Sequence, residues 1–303
     1  MAKTKETKKD VYQMVTDKFI KALEKGEIPW QKPWTGVIDG AYNVVSKKPY
    51  SFLNQLMLAN KGAYATYKQW QDKGGQVRKG EKGEFVVFWK FLRVKEKDED
   101  GEEQVKKIPM LRYYNVFHIS QVDGVDDLKK KLEDKAKINK DFNPIEEADK
   151  VFNDYIEREG IKYVEEASDR AYYSPSKDLI HLPERTQFKL VEEFYSTLFH
   201  ETTHSTMKES RCNRESAKML AMFGSETYSK EELVAEMGSG MALNKLGIDT
   251  EKSFNNSTAY IQSWLEVLRN DKKFVVSAAG KAEKAVKYIF NEMEIEDNLE
   301  SES

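Results

Sequence analysis

The chain has 303 residues, of which 39% are apolar and 33% charged, and its formal net charge is −3. This composition excludes a disordered chain, and the length is typical of two domains. No apolar run reaches the roughly 18 residues of a membrane span, and the charged start MAKTKETKKD lacks the apolar stretch of a secretory signal. The single cysteine, Cys212, excludes an internal disulfide. We therefore expect a soluble protein of a reducing cytoplasm without membrane contact.

Residues 1–125 are predicted to form a small α+β domain. Apolar residues every four positions from Val11 to Leu23 predict a helix over residues 7–25, with a stop at Gly26. The loop EIPWQKPW separates it from two shorter predicted helices, YSFLNQLMLA and TYKQWQDKG. EFVVFWKFL and MLRYYNVFHI, rich in aromatic and β-branched residues, predict a hairpin with the charged segment between them at its tip.

The segment 126–144 is predicted to be a linker, because it is rich in Asp and Lys and has Asn-Pro near its end. The second domain, residues 145–303, is predicted to be mostly helical with a small β-sheet, so the fold class is α+β. Its predicted strands are IKYVEE, RAYYSP and DLIHLP. Its predicted helices span about 145–158, 186–207, 230–246, 257–270 and 272–293, and the acidic tail is predicted to fray.

The two halves differ in charge. Residues 1–120 contain 23 Lys and Arg against 15 Asp and Glu, whereas the remainder contains 26 against 37. A basic half in an acidic protein favours a polyanionic partner such as nucleic acid. The alternative is a chance difference between small domains.

The most specific motif lies in LFHETTHSTM, where His200, Glu201 and His204 form the pattern His-Glu-x-x-His. Residues four apart share a helix face, so both imidazoles can bind one metal ion while Glu201 flanks it. Zinc in such a site lowers the pKa of a bound water to about 7, and Glu201 then acts as the general base of a metallopeptidase. The alternative is a helix with two ordinary histidines.

A third ligand is predicted in the downstream segment YSKEELVAEMGSGMAL, where Glu232 and Glu236 lie four residues apart on one helix face. Glu232 is our predicted ligand, and Glu236 is predicted to orient a ligand histidine. The reverse assignment stays open, as does a solvated acidic face. We expect one Zn²⁺ per chain, although such ligands also bind Mn, Co or Ni.

His-Glu-x-x-His followed by Glu-x-x-x-acid and a Gly resembles the gluzincin branch of zinc metallopeptidases. That resemblance implies a strand beside the metal helix, for which SPSKDLIHLP is in place, with His181 either lining the cleft or serving as an ordinary strand residue. Tyr228 is a candidate for stabilising an oxyanion, with a surface aromatic as the alternative.

The run from DLIHLPERTQ through RCNRE to AEKAVKYI resembles the C-terminal domain of ArdC-type antirestriction proteins, which plasmids and phages carry. That family commonly has Trp after the second motif histidine, where this chain has Ser205. IPWQKPW, KPYSFLNQLMLA, YATYKQWQDKGGQVRKGEKGEFVVFW and YYNVFHISQVDG resemble the family's N-terminal domain, which implies single-stranded DNA as a partner. The family usually has Arg-Gly where Ser51-Phe52 stands.

Aromatic platforms within a basic groove suit single strands, because every base has a face that can stack. Trp89 and Trp70 are expected in the core, whereas the tryptophans beside prolines are expected to be platforms. The predicted DNA contacts are Trp30, Lys32, Trp34, Lys48, Tyr50, Asn54, Arg78, Lys79 and Lys82.

Two functions are compatible with these patterns. The first is an antirestriction protein in a bacterial cytoplasm that binds single-stranded DNA and carries a zinc metallopeptidase, whose unknown protein substrate could be a host defence nuclease. The second is a non-catalytic DNA-binding accessory protein for conjugation or phage replication, with an inert zincin scaffold. No Walker-type or dinucleotide glycine motif is present, so we expect no nucleotide cofactor.

Overall fold

A computed structural model describes residues 10–31, 40–97, 103–130, 143–214, 226–248 and 257–293. It mixes helices with three small sheets, which confirms the α+β prediction. The predicted acidic tail from residue 294 onwards, Lys32 and Trp34 lie outside the described residues. Within the part of the chain that is described, no helix is long and apolar enough to cross a membrane.

The first helix, α1, spans Val11–Glu24 because its apolar residues recur on one face and its start is capped. The Asp10 carboxylate accepts hydrogen bonds from the backbone N–H groups of Tyr12 (3.1 Å) and Gln13 (3.3 Å). Gly26, with φ 76°, allows the chain to leave the helix in the left-handed region.

A four-stranded sheet follows, formed by β1 (Ala41–Asn43), β2 (Gly62–Ala65), β4 (Glu84–Lys97) and β5 (Glu103–His118). The strand order in the sheet is β1-β2-β5-β4. The strands β4 and β5 form the long predicted hairpin, while β1 and β2 were not expected, since each has only three or four residues. The two predicted short helices are present as α2 (Phe52–Met57) and α3 (Tyr67–Asp72), and β3 (Gln76–Val77) pairs with β6 (Val122–Asp123).

The C-terminal part starts with α4 (Pro144–Glu159), which begins at Asn143 as N-cap and ends at the left-handed Gly160. A three-stranded sheet of order β7-β9-β8 comes next, with β7 (Lys162–Glu166), β8 (Tyr172–Ser174) and β9 (Leu179–Pro183). The remaining helices are α5 (Val191–Ser205), α6 (Glu226–Leu246), α7 (Ser257–Asn270) and α8 (Phe274–Ile289).

One hydrophobic cluster contains residues from both halves of the chain. The buried side chains of Val15, Phe19 and Leu23 in α1 belong to the same cluster as Leu268 in α7 and Val275 in α8. The domain limits 1–125 and 145–303, with a linker at 126–144, therefore stay a prediction about sequence units. The described parts of the two halves share a core, so the structure does not divide into two separately packed pieces.

Candidate metal centre

Helix α5 presents its two histidines through the packing of its opposite face. Phe194, Leu198 and Phe199 are buried in the core beneath the helix. Because His200 and His204 lie one turn apart, this packing directs both imidazoles towards α6. Their rings have centroids 4.7 Å apart and an interplanar angle of 80°.

Small residues in α6 allow the two helices to approach closely. A Cβ atom on Gly238 would lie 2.6 Å from the side chain of Thr203 in α5, so only glycine fits there. One residue further, the Ser239 hydroxyl donates to the carbonyl of Ser196 at 2.7 Å. The close approach of α5 explains Gly238 and Ser239, whereas Gly240 is required because an added Cβ atom would collide with the Trp30 carbonyl.

Three side chains converge between α5 and α6. The Nε2 atoms of His200 and His204 lie 3.1 Å apart. The Glu232 carboxylate lies 3.4 Å from His200 Nε2 and 3.3 Å from His204 Nε2. Across the described residues, this is the one group of three or more His, Cys, Asp or Glu side chains with donor atoms within 4.8 Å of one another. Two imidazole nitrogens and one carboxylate are a donor set that zinc and related divalent metals accept.

A carboxylate also faces the other ring nitrogen of each histidine. Glu236 Oε1 lies 3.7 Å from His200 Nδ1, and Glu231 Oε1 lies 3.5 Å from His204 Nδ1. Such partners fix ring orientation and make the outward Nε2 a better ligand. This geometry favours Glu232 over Glu236 as the third ligand, and that assignment stays a prediction.

Arg214 holds Glu231 in place. Its guanidinium contacts both Glu231 oxygens, at 3.1 and 3.2 Å from Nε, and donates to the Thr203 carbonyl at 2.8 Å. Both side chains are buried. This pair was not predicted from the sequence, although two signals were available: Glu231 lies in a helix with buried apolar residues, and Arg214 follows the metal helix.

The electrostatics of the site favour a cation. Burial by itself lowers the pKa of His204, but hydrogen bonding to Glu231 and Glu232 raises it to about 10. Burial raises the pKa of Glu231, yet His204 and Arg214 hold it at about 2. Burial raises the pKa of Glu236 above its ordinary value. Several buried carboxylates around two imidazoles thus form a pocket with excess negative charge, which a divalent ion offsets.

Three further residues were predicted at or near the site, namely Glu201, Tyr228 and His181. Glu201, next to His200 on α5, is 8% exposed. Burial lowers the pKa of His200, but the hydrogen bond to Glu232 and the charge of Glu201 contribute to raising it above its ordinary value. Tyr228 lies in the first turn of α6, and its side chain is outside the described part. His181 contacts the Arg170 carbonyl at 3.0 Å and Glu166 at 3.1 Å, which makes it an ordinary strand histidine.

Two predicted DNA contacts are wrong because their side chains are buried. Trp30 is fully buried, with its ring centroid 5.0 Å from that of Trp264, and offers no face to a base. The Asn54 amide exchanges two 2.8 Å hydrogen bonds with the backbone of Val87. The placement of Trp89 in the core is also wrong, since it is 48% exposed.

The other described contacts lie at the surface or near it. Lys48, Lys79 and Lys82 are exposed, while Arg78 is paired with Glu81 at 2.7 Å. Tyr50 is partly buried. Trp70 is fully buried, as expected, and its indole N–H donates to the Phe117 carbonyl at 2.9 Å.

Comparison with known proteins finds two family models that match different parts of the chain. Residues 148–281 match the model of a zincin-like metallopeptidase domain, and residues 9–117 match that of the N-terminal domain of anti-restriction factor ArdC. The metal-free crystal structure of the antirestriction ArdC protein from plasmid R388 is 35% identical, with a TM-score of 0.71, over 94% of this chain and 98% of that one. Its Mn(II)-bound structure is 32% identical, with a TM-score of 0.70, over 95% and 99%.

Two sequence relatives extend the comparison. DNA primase TraC of Escherichia coli is 36% identical over 94% of this chain but only 20% of its own length, so the chain spans about a fifth of TraC. Uncharacterized protein y4eC of Sinorhizobium fredii is 33% identical over 93% of this chain and 92% of its own length.

The fold and the site thus define a protein in which a zincin-like metallopeptidase domain follows another, N-terminal domain along the chain. The chain belongs to the ArdC family of antirestriction proteins, as the sequence resemblance indicated.

Proposed function

We propose that this chain is an antirestriction protein of a mobile element that binds single-stranded DNA and acts as a metallopeptidase in the bacterial cytoplasm. The observation that carries the peptidase part is the convergence of His200, His204 and Glu232 within 4.8 Å. The Glu-x-x-x-acid spacing and the flanking Glu201 match what peptide hydrolysis needs.

The residues have distinct roles in this proposal. When bound, the metal would supply a Lewis acid that polarises a peptide carbonyl and acidifies water. Glu201 accepts the proton of the attacking water and returns it to the leaving amine. Glu231 and Glu236 hold the histidine rings so that each Nε2 faces the same point. Tyr228 is the candidate donor to the developing oxyanion.

Zinc is the metal we propose, one ion per chain. The donor set supports it, while the Mn(II)-bound ArdC structure from R388 makes manganese the main competitor. Elemental analysis of the purified full chain measures this directly. We expect about one zinc per wild-type chain and none in His204→Ala, while His118→Gln, outside the site, keeps its metal. A wild-type chain that stays metal-free after incubation with zinc and manganese overturns the proposed centre.

Proteolysis and DNA binding are separable by Glu201→Gln. This variant keeps the three proposed ligands and loses the general base, so we expect normal metal content and no peptidase activity. A host defence nuclease is one candidate substrate. If Glu201→Gln still protects DNA from a restriction nuclease, proteolysis is not the cause of protection.

The second candidate function is a non-catalytic accessory protein for conjugation or phage replication. The similarity to part of a protein named DNA primase favours a role beside DNA. Metal binding without any cleavage, combined with tight binding of single strands, would favour this function over the first.

A further inference from the structure

The β4–β5 hairpin projects from the fold as a two-stranded arm, which we define as residues 88–96 and 104–112. Its strands pair in unbroken antiparallel register from Phe88↔Arg112 to Glu96↔Gln104. Residues 88–96 and 104–109 are all exposed. Over these exposed residues neither face of the arm is covered, so their apolar side chains do not form part of a core, whereas Leu111 at the base of the arm is buried in one.

One face of the arm combines aromatic rings with positive charge. Residues directly opposite in an antiparallel pair share a face, so the register assigns eight side chains to what we call the Trp89 face. They are Trp89, Phe91, Arg93, Lys95, Val105, Lys107, Pro109 and Leu111. None is acidic. The opposite face carries Phe88 and Leu92 as well, but it contains Glu96, which pairs with Lys106 at 3.4 Å.

Two features of the Trp89 face indicate an anionic, stacking ligand. Trp89 and Phe91 are 48% and 54% exposed, which leaves large ring surfaces in water. Arg93 and Lys107 are directly opposite each other in the register. Like charges in that position repel, and an anion between them removes the penalty.

The surface continues past the arm onto α1. The Trp89 ring meets Tyr12 edge-on, with centroids 6.4 Å apart, and Lys273 Nζ lies 5.6 Å from the Tyr12 ring centroid. In the sequence, the six residues 98–103 between the two strands of the arm include five acidic ones, which would repel phosphates. The favourable surface therefore runs along the body of the arm towards α1, and not towards its tip.

We propose that the Trp89 face is the surface that holds single-stranded DNA, with bases stacked on Trp89 and Phe91 and phosphates at Arg93 and Lys107. This proposal rests on the proposed DNA binding and names its location. Alternate residues of a strand lie about 6.6 Å apart, roughly twice the rise per nucleotide of a stacked strand. Two such platforms suit a strand whose bases are spread apart, and not a duplex, whose bases are hidden between its strands.

The test compares the two faces of the same arm in the full chain. Binding of a fluorescent oligo(dT) is measured by anisotropy for Trp89→Ala/Phe91→Ala and for the matched control Phe88→Ala/Leu92→Ala. We expect a Kd at least about tenfold higher for the first variant, because each lost stack weakens binding several-fold or more. The control, which removes similar apolar area from the opposite face, should bind as the wild type does.

A second pair of variants tests the charges. Arg93→Gln/Lys107→Gln should reduce the slope of log K against log salt by about 1.4, since each phosphate contact to a single strand contributes about 0.7. Lys90→Gln/Lys106→Gln, the same charge change on the opposite face, should leave that slope unaltered.

Three results of these binding measurements would overturn the proposal. If wild type binds and neither aromatic variant weakens binding, the proposal is overturned while DNA binding stands, and the exposed Lys79 and Lys82 become the next surface to test. Equal weakening by both aromatic variants overturns the assignment to one face. If wild type does not bind oligo(dT) at all, the proposed DNA binding fails together with this inference.

Discussion

The metal centre and the hairpin arm both contain charged side chains, but those of the metal centre are buried and those of the arm are exposed to solvent. Between α5 and α6, charged side chains are buried and paired in layers, as in the series Arg214, Glu231 and His204. On the arm, the basic and aromatic side chains are exposed to solvent. A buried charge depends on its partner, whereas an exposed charge does not, so substitutions in the two regions should differ in what they cost.

The largest expected effect of removing a single charge concerns the ion pair of Arg211 and Asp178, which supports the end of the metal helix. Arg211, whose side chain is 1% exposed, donates to the Ser205 carbonyl at 2.8 Å and to both Asp178 oxygens at 2.8 and 2.9 Å. Asp178→Asn keeps the size and tolerates the positive φ of 48° but removes the charge. We expect a loss of roughly 3 kcal/mol in unfolding free energy, measured by urea denaturation.

Asp149→Asn is the matched control for that loss. Asp149 and Arg185 form an ion pair at 2.9 Å whose side chains are 36% and 42% exposed. Its removal should cost at most about 1 kcal/mol. Equal losses from the two substitutions would contradict the contrast between buried and exposed pairs.

The Asp178 carboxylate also predicts a pH dependence of the unfolding free energy. Burial raises the pKa of Asp178, but hydrogen bonds from Arg211, Lys208 and Tyr173 outweigh it and lower the pKa to about 2, from an ordinary value of 3.8. Because the folded pKa is below the unfolded one, the stabilisation is present above pH 4 and is lost as the pH falls from 4 towards 2. It amounts to about 2 kcal/mol. Thermal unfolding of wild type and Asp178→Asn should converge over this range. Parallel curves would assign the acid sensitivity to other groups.

The metal motif was predictable from sequence because it is local. The i, i+4 geometry of a helix fixes the relation of His200 to His204 wherever the helix lies. Glu232 was accessible through its spacing to Glu236, whereas Arg214 and Glu231 become partners only when two helices pack. The predictions of Trp30 and Asn54 as DNA contacts failed for the same reason. Residue type does not reveal that Trp30 lies against Trp264 while Trp89 faces solvent, because exposure is decided by segments far apart in sequence.

Helix packing at the metal centre gives the next prediction. The Cβ atom of Gly238→Ala would lie 2.6 Å from Thr203, so α6 must move away from α5. We expect a loss of about 1–3 kcal/mol in unfolding free energy and weaker metal binding. At Gly280 of α8 nothing lies within 4 Å of an added Cβ, so Gly280→Ala should be neutral or stabilising. Metal binding that survives Gly238→Ala unchanged would show that the α5–α6 spacing does not set the site.

Glu231→Gln tests whether the partner behind His204 supports the ligand. Gln lacks the negative charge that faces His204 Nδ1 and Arg214. We expect metal affinity to fall about ten- to a hundredfold, measured by competition with a chromophoric chelator. The exposed Glu209 lies close in sequence, and Glu209→Gln should leave the affinity unchanged. Glu231→Asp, which restores the charge, should recover part of the affinity. A loss of affinity no larger than that of Glu209→Gln would restrict Glu231 to a structural role.

The smallest expected effect is on the stability of the arm. Phe91 is 54% exposed, and Phe91→Ala removes a ring that packs against little of this chain, so the unfolding free energy should change by no more than about 0.5 kcal/mol. Phe199 of α5 is fully buried, and Phe199→Ala should cost about 3–5 kcal/mol because it leaves a cavity. Urea denaturation of the two variants side by side measures this difference. If Phe91→Ala costs as much as Phe199→Ala, the arm is packed in solution, and its aromatic residues are not free to stack on a ligand.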